Sequence, residues 1–487
     1  MAILDPSNAT PKLAINVSFQ KGPSSSGSSD YSILLIGNKL SSGTGTDATL
    51  YGPQDMSSDS DAAGLFGRGS ELALMVKDCL AKNKKSTVYA MSVAEGVSST
   101  VATGTITFTS AATSNATVTV WVGSKTVSFG VVSGDAIAVQ AAACAAAITA
   151  NVDLPVTASA SLGVCTVTSK NKGLRSNLIK ISAKASNSYG TTISPLTMTA
   201  LTGGTVQDSL AAALAVIVGQ RFYSIVVAQD DATNLGLLKT HIASLEDPMI
   251  GLRQRGFCAS VDTAGNATTV AIGLDDERLC LVWQGGSDCL PRELAVDVAS
   301  QICLAEIGDI PVCNFNGLQL SLPVPRSKTK PTPAQIKAAL NNGISPIDCD
   351  VVSGKCFLVK AITTRSTNGL GASDYRVRDL HKVFICDKLA DDLAARYYDF
   401  FQGKNVADDP LPNQPPVPGA VCPRDVKAMI FSVLDTYSAR GLIEQVQASK
   451  DQLVVTRPSG SNALEVTLNV DVINVLDQVS IQQNQVG

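Results

Sequence analysis

The chain has 487 residues, of which 45% are hydrophobic and 16% charged, and its formal net charge is −4 at pH 7. This size and apolar content predict a globular protein with more than one cored unit. The small net charge and the absence of a basic cluster longer than residues 82–85 exclude a nucleic-acid-binding face. The N-terminus lacks the basic start and apolar core of a signal peptide, and no apolar run is long enough to span a bilayer, so we expect no membrane association.

Residues 1–30 predict an N-terminal arm and linker. A short apolar segment that contains Leu13, Ile15 and Val17 is followed by a Gly/Ser-rich run over residues 22–29. Gly and Ser bury too little apolar surface to offset the entropy of ordering them. We therefore expect a short strand on a flexible tether.

Residues 31–96 and 203–344 alternate strands with helices. The first part predicts a strand over 32–37, a helix that begins after the N-cap Ser70, and a strand over 87–93. The second part continues the alternation: helix 209–218, strand 222–228, helix 232–245, strand 256–261, helix 267–278, strand 279–283 and a helix from Pro291 to 308. Such alternation predicts right-handed crossovers and an α/β core with a doubly wound, mainly parallel sheet.

Residues 97–202 interrupt this core and differ in composition, being rich in Thr, Ser, Val and Ala. They predict an Ala-rich helix over 136–150 among strands at 105–108, 116–122, 125–131, 164–169 and 179–182. A β-rich unit inserted between two halves of an α/β core normally projects from its surface. We predict an inserted outer domain.

Residues 345–472 predict an α+β C-terminal domain, with a strand over 355–363, helices over 387–402 and 423–441, and a hairpin over 453–472. The second hairpin strand, residues 464–472, alternates an apolar set with polar residues: Leu464, Val466, Leu468, Val470 and Val472.

The last segment, residues 473–487, predicts a C-terminal arm. It keeps the strand-forming residues Val475, Val479 and Ile481 but has no turn signal that would fold it back. An unpaired strand must find a partner edge, and a neighbouring copy offers one. Pairing within the chain's own sheet is the alternative. Two arms on one body favour strand exchange between subunits.

The sequence predicts no catalytic, cofactor or metal site. The chain has only two histidines, His241 and His381, and it lacks the G-x-S-x-G, H-E-x-x-H and P-loop patterns. The glycines of residues 66–71 precede a helix and could cradle an anion. They follow a polar loop, however, and a turn plus the Ser70 cap explains them better.

Twelve cysteines are the remaining unusual feature. Without C-x-x-C and with two histidines, zinc is not favoured. Five cysteines fall at apolar helix or strand positions and predict buried free thiols: Cys79, Cys144, Cys258, Cys280 and Cys303. Six lie in or beside predicted loops and are candidates for disulfides between subunits outside the cell: Cys289, Cys313, Cys349, Cys356, Cys386 and Cys422. Scattered unpaired thiols are the alternative.

Several segments resemble the contractile tail sheath proteins of Mu-like bacteriophages. They are SILLIGNKLSSGT (32–44), DAAGLFGRGSELALMV (61–76), LNNGISPI (340–347), AITTR (361–365), the hairpin start at 451–455 and the final arm. The resemblance runs over most of the chain. It implies an α/β core whose terminal arms add strands to a neighbour's sheet.

The resemblance also implies a function without chemistry and without a cofactor. Subunits would form hexameric rings stacked into a helical sheath around the tail tube, between baseplate and tail terminator proteins. Contraction of a metastable lattice would drive the tube through the host envelope for genome ejection. The protein would be part of the virion tail and would assemble in the host bacterial cytoplasm. A sheath of a non-viral injection system or tailocin, and an α/β enzyme, are the alternatives.

Overall fold

The computed structural model describes residues 31–475 except 187–195, 308–314, 328–329, 369, 375–377 and 460. Five predicted assembly residues and one predicted thiol site therefore lie outside the described residues: Leu13, Ile15, Val17, Val479, Ile481 and Cys313.

The first part of the chain alternates strands and helices as predicted. It contains β1 (Ile33–Asn38), β2 (Leu50–Tyr51), α1 (Asp59–Phe66), α2 (Glu71–Lys82) and β3 (Val88–Val93). The inserted segment contains β4 (Val101–Phe108), β5 (Ala116–Val122), β6 (Lys125–Val131), α3 (Ile137–Ala150), β7 (Val156–Ser161), β8 (Val164–Lys172), a 3₁₀ turn (Leu174–Leu178), β9 (Ile181–Ser186) and β10 (Leu196–Thr202).

The chain then returns to the alternating pattern. This part contains α4 (Ala211–Val216), β11 (Ser224–Val227), α5 (Ala232–Leu245), β12 (Arg255–Ser260), α6 (Ala264–Leu274), β13 (Leu279–Trp283), α7 (Pro291–Ile307), β14 (Leu318–Leu320) and α8 (Pro333–Asn341). The last part contains β15 (Ile344–Asp350), β16 (Lys355–Leu358), α9 (Leu380–Phe400), β17 (Asn405–Val406), β18 (Ala420–Val421), α10 (Pro423–Ala439), β19 (Ile443–Glu444), α11 (Val446–Asp451), β20 (Val454–Thr456), β21 (Glu465–Thr467) and β22 (Asp471–Val472).

A nine-stranded sheet forms the centre, in the order β14-β16-β15-β13-β12-β11-β1-β3-β2. Its inner strands β15, β13, β12, β11, β1 and β3 are parallel. Antiparallel strands complete it, with β2 at one side and β16 and β14 at the other. The predicted α/β fold with a mainly parallel central sheet is what the chain adopts.

Helices cover both faces of this sheet, so successive residues of one strand enter different cores. In β1, Ile33 and Leu35 pack into the cluster that contains residues of α2, α7 and α9. Leu34 and Ile36 pack into a second cluster with residues of α4, α5 and α6. All four side chains are fully buried. This two-sided burial explains why the strand is a continuous apolar run and does not alternate.

The inserted segment folds around a core of its own. It has a four-stranded antiparallel sheet, β10-β4-β8-β7, and a three-stranded antiparallel sheet, β6-β5-β9. Helix α3 packs against the first sheet, and Ile106, Val118 and Ile148 are among the fully buried side chains. The insertion is therefore β-rich, and two of its strands, β7 and β10, are additional to the predicted ones.

The predicted boundary at residue 345 is wrong, because it falls inside β15. This strand pairs in parallel with β13 and continues into the antiparallel strand β16, so both belong to the central sheet. Helix α9 begins at Leu380 instead of residue 387, and its first turns pack into the core against the sheet. Segments distant in sequence complete the sheet, which local periodicity does not reveal.

The predicted nine-residue strand over residues 464–472 is also wrong. The hairpin forms between β20 and β21, but the chain then leaves it, and β22 pairs with β19 instead. Val466, predicted on the buried face, is 42% exposed. The alternation of apolar and polar residues is therefore divided between two small sheets.

Buried arginines bind the amino ends of the parallel strands to helices. At the start of β12, Arg255 makes a two-pronged ion pair with Glu306 of α7, with N–O distances of 2.6 and 2.8 Å. Just before β13, Arg278 lies 2.7 Å from Asp387 of α9. Burial acts to raise the pKa of Asp387, but Arg278 and neighbouring arginines outweigh it and hold the pKa below its usual range.

Because β1 is buried on both faces, alanine substitutions at successive positions of this strand should destabilise the fold to a similar extent. Leu34→Ala and Leu35→Ala should each lower the free energy of unfolding by about 2–5 kcal/mol, because each leaves a cavity in a different core. Val466→Ala, at an exposed site, should change it by no more than about 0.5 kcal/mol. Urea denaturation measures all three. A large loss at only one of the two leucines would contradict the two-core arrangement.

Candidate functional site

The carboxyl ends of β1 and β11 are the place where a doubly wound fold normally holds a ligand. The chain proceeds from β1 to β3 on one side and through β11 and β12 on the other, and ligands bind in the crevice at such a reversal. Three polar side chains surround this point: Asn38 at the end of β1, Glu71 at the start of α2, and Asp208 before α4.

Arg175, from the 3₁₀ turn of the insertion, fills this crevice. Its guanidinium lies 2.6 Å from an oxygen of Asp208 and 2.8 Å from an oxygen of Glu71. A further N–H donates to the Asn38 side-chain oxygen at 2.5 Å. The arginine side chain is 10% exposed. The insertion thus places its own cation where the fold would otherwise admit a ligand.

The opposite charges of Arg175 and Asp208 keep both side chains ionised. Burial acts to raise the pKa of Asp208, but the charge of Arg175 and a hydrogen bond from Gln229 more than offset it, so the pKa lies below its usual range. The carboxylates of Glu71 and Asp208 hold the pKa of Arg175 well above its ordinary value against the effect of burial. The cluster is a permanent ion pair at neutral pH.

Little room remains beside the arginine. The cavity at this point has a volume of about 40 Å³ and is lined by Asn38, Glu71, Arg175 and Pro291, among others. A water molecule takes about 30 Å³, whereas small-molecule pockets measure about 300–1,000 Å³. The space suits a water molecule and not a metabolite.

Further polar contacts attach the insertion to the start of α2. Asn171 accepts from the backbone N–H of Glu71 at 2.9 Å and donates to the carbonyl of Lys39 at 3.0 Å. Lys77 of α2 pairs with Asp153 at 2.6 Å. The glycine-containing turn before α2 therefore receives side chains of the insertion, and Ser70 caps the helix as predicted by accepting from the backbone N–H of Ala73.

The two histidines occupy ordinary structural environments. Burial lowers the pKa of His241 on α5. His381 on α9 is buried too, and its Nε2 lies 3.3 Å from the carbonyl oxygen of Ile473. Within the described ranges, no group of three or more His, Cys, Asp or Glu side chains is arranged to hold a metal ion. In the same part of the chain, no helix combines the length and apolarity needed to cross a membrane.

The five cysteines predicted as buried free thiols are confirmed: Cys79, Cys144, Cys258, Cys280 and Cys303. Three of the loop candidates differ from their expected setting. Cys349, Cys356 and Cys386 lie in β15, β16 and α9 and are no more than 5% exposed. Cys289 and Cys422 precede helices and are each 3% exposed. Cys289 and Cys422 thus lie beside loops as predicted, whereas the other three lie within strands or a helix, and all five are buried.

The chain is held by its own subunit almost to the end of the described part. The backbone N–H of Ile473 donates to Leu442 at 3.2 Å, and Lys382 donates to the side chain of Asn474 at 2.6 Å. Val475, one of the predicted exchange residues, is the last described residue and is half-buried. The first two residues of the predicted arm, Ile473 and Asn474, therefore bond within the subunit.

Two small sheets in the C-terminal part of the chain have unpaired edges among the described residues. The pairs β19–β22 and β20–β21 are each only two-stranded within the described residues, with strands of two or three residues. Val454 and Val466 of the second pair are 52% and 42% exposed. A two-stranded sheet is marginal by itself in water, so a further strand on either edge would stabilise it.

Comparison with known proteins finds a relative along almost the whole chain. Over 449 residues the chain is 23% identical to the Mu-like prophage FluMu tail sheath protein of Haemophilus influenzae. The aligned region covers 91% of this chain and 90% of that protein. The resemblance to Mu-like tail sheath proteins is confirmed. No protein-family model matches the chain.

The fold of this sheath-like chain is also found among solved structures. A sheath tail protein of Listeria innocua superposes with a TM-score of 0.50 at 14% identity and covers 93% of this chain and 94% of its own. A sheath tail protein of Desulfitobacterium hafniense gives a TM-score of 0.47 at 13% identity, covering 96% and 100%. The likeness to the Listeria protein shows a shared fold.

Removing the buried guanidinium of Arg175 should destabilise the folded chain substantially. Arg175→Met leaves Asp208 and Glu71 without their buried partner, so we expect the free energy of unfolding to fall by about 3–5 kcal/mol. Arg68→Met is the matched control, because Arg68 is 53% exposed and its ion pair with Asp153 is solvated. That change should cost no more than about 1 kcal/mol. Equal losses in urea denaturation would contradict a structural role for the buried cluster.

Asp230 beside this cluster predicts a pH-dependent stability. Burial, opposed by Arg175, raises the pKa of its carboxyl from 3.8 to about 6. The folded chain then binds a proton that the unfolded chain has lost, so this group lowers stability as pH rises from about 4 to 6. Asp230→Asn should therefore stabilise the protein by up to about 3 kcal/mol at pH 7.5 and by nothing near pH 3.5. Asp399→Asn, at an exposed site of α9, should change stability at neither pH.

Proposed function

We propose that this protein is the subunit of a phage contractile tail sheath and not an enzyme. The observation that carries the proposal is the similarity to the FluMu tail sheath protein along 91% of the chain. The crevice that would serve an enzyme of this fold is occupied by Arg175, which supports a structural role. The location that follows is the virion tail.

Strand exchange joins the subunits in this proposal. The segment with Leu13, Ile15 and Val17 and the segment with Val475, Val479 and Ile481 add strands to a neighbouring copy. The edges of β19–β22 and β20–β21 are suitable acceptors, because each described pair has only two strands and leaves outer backbone groups that a further strand can bond. Backbone hydrogen bonds then give affinity, and the exposed Val454 and Val466 give apolar contact area.

The partners follow from the sheath role. Copies of the chain form hexameric rings that stack around a tail tube and end at baseplate and tail terminator proteins. Contraction moves rigid subunits relative to one another, and the energy comes from better contacts in the compact lattice. The doubly covered sheet and its buried ion pairs suit such a rigid body. The insertion, attached at one corner of the core through Arg175, faces outward.

A sheath of a non-viral contractile injection system or tailocin has the same architecture and remains the second candidate. It differs in what the tube delivers, which is a property of other components. An enzyme of the α/β class is the less favoured candidate. A ligand would have to displace Arg175 from Asp208 and Glu71.

Truncation after Val475 tests strand exchange. The variant should fold as a stable monomer, because the hydrogen bonds of Ile473 and Asn474 within the subunit remain. It should lose polymerisation, which negative-stain electron microscopy of the purified protein shows as the absence of rings and hollow tubes. Circular dichroism and the urea midpoint verify the fold.

The matched control keeps the length of the segment but changes its strand-forming residues. Val479→Asn combined with Ile481→Asn should reduce polymerisation as truncation does, whereas Gln482→Asn combined with Gln483→Asn should leave it intact. Sheaths of normal length from the truncated chain would show that this segment does not join the subunits.

A further inference from the structure

Cys349 and Cys356 face each other across the β15–β16 hairpin. The two residues are direct partners in the antiparallel register. The backbone N–H of Val359 donates to Pro346 at 2.9 Å, which makes that pair a hydrogen-bonded one. Because the two kinds of pair alternate, Cys349 and Cys356 form a non-hydrogen-bonded pair. Cα atoms in such pairs lie about 4.5 Å apart, within the range of disulfides.

The side chains bring the sulfurs together as well. The Gln284 side-chain nitrogen donates to Cys349 Sγ at 3.0 Å and lies 3.8 Å from Cys356 Sγ. Ser287 fixes this amide by donating to its oxygen at 2.6 Å. Both sulfurs thus share one side of Gln284 on the same face of the hairpin.

We propose that Cys349 and Cys356 form a disulfide within the subunit when the folded protein meets an oxidising environment. The thiolate of one cysteine attacks a sulfur of a disulfide oxidant and releases one thiolate. The second cysteine then attacks the mixed bond, forms the Cys349–Cys356 bond and releases the second thiolate. The two cysteines lose two electrons and two protons, and the oxidant is reduced to two thiols.

Burial determines which thiol can pair with each cysteine and how fast an oxidant reaches the two sulfurs. The two residues are 3% and 0% exposed, so a cysteine of another subunit cannot approach while the hairpin is closed. An oxidant enters when the hairpin opens at its turn, where Val352 is 98% exposed. In a reducing cytosol the pair stays a dithiol. The bond needs only the folded chain and an oxidant, so this inference stands apart from the proposed function.

Peptide mapping tests the bond on the wild-type protein. The full chain is oxidised under native conditions with oxidised glutathione, unfolded, alkylated with N-ethylmaleimide and digested with trypsin. Cleavage after Lys337, Lys355 and Lys360 places the two cysteines on separate peptides, 338–355 and 356–360. We expect these peptides to be linked, with the mass of their sum less two hydrogens, and the linked species to disappear on reduction.

Variants assign the bond. Cys349→Ser should abolish the linked species and leave Cys356 alkylated, whereas Cys386→Ser, at a buried site of α9, should retain it. Full alkylation of both cysteines in the oxidised wild type would overturn the proposal, and this result does not depend on how a variant folds. Disulfide-linked dimers on a non-reducing gel that vanish in Cys349→Ser would also overturn it, in favour of a bridge between subunits.

Discussion

The structure depends on the need of a parallel sheet to be covered on both faces. Its strands are joined by helices that lie above and below, so its inner strands are buried and largely apolar. In β1, Ile33 to Ile36 are all fully buried, and they enter two different cores. The helices on one face come from parts of the chain that are far apart in sequence. Helix α2, from the first part, and helix α9, from the last, meet on one face. The distant segments are thereby joined into one body.

The two ends of the sheet are closed by buried arginines. At the amino ends, Arg255 and Arg278 bind α7 and α9. At the carboxyl ends, Arg175 binds Asp208 and Glu71. Buried ion pairs of this kind add little net stability over an apolar substitute, but breaking one leaves a charge without a partner. They therefore make wrong docking of a helix or of the insertion costly.

Closing the carboxyl ends also fills the crevice at the strand reversal. In enzymes of this architecture the crevice at the strand reversal is open to a ligand. Here the insertion enters it, and the described surface offers short, open strand pairs at the C-terminal side. The packing of the chain also buries the cysteines that the sequence places in or beside predicted loops. Enclosure makes the cross-strand partner, and not another subunit, the nearest thiol to Cys349 in the register of the hairpin.

The sequence alone determined the elements whose signal is local. The apolar run of β1, the Ser70 cap of α2 and the alternating strands and helices from α5 to α7 follow from periodicity and capping, which act over a few residues. The resemblance to sheath proteins came from short segments along the chain. It pointed to tail sheath proteins, and the chain is similar to one of them along 91% of its length.

Only the tertiary structure decided what depends on distant partners. Arg175 contacts residues 33, 104 and 137 positions away, and nothing in the polar stretch around it marks it as the residue that fills the crevice. The arginines that precede β12 and β13 were a visible signal, but their partners on α7 and α9 were not. Likewise β15 joins β13 across 60 residues, and β22 leaves the hairpin for β19. Sequence periodicity fixes which face of an element is apolar, whereas the choice among possible partners is made by the packing of the whole chain.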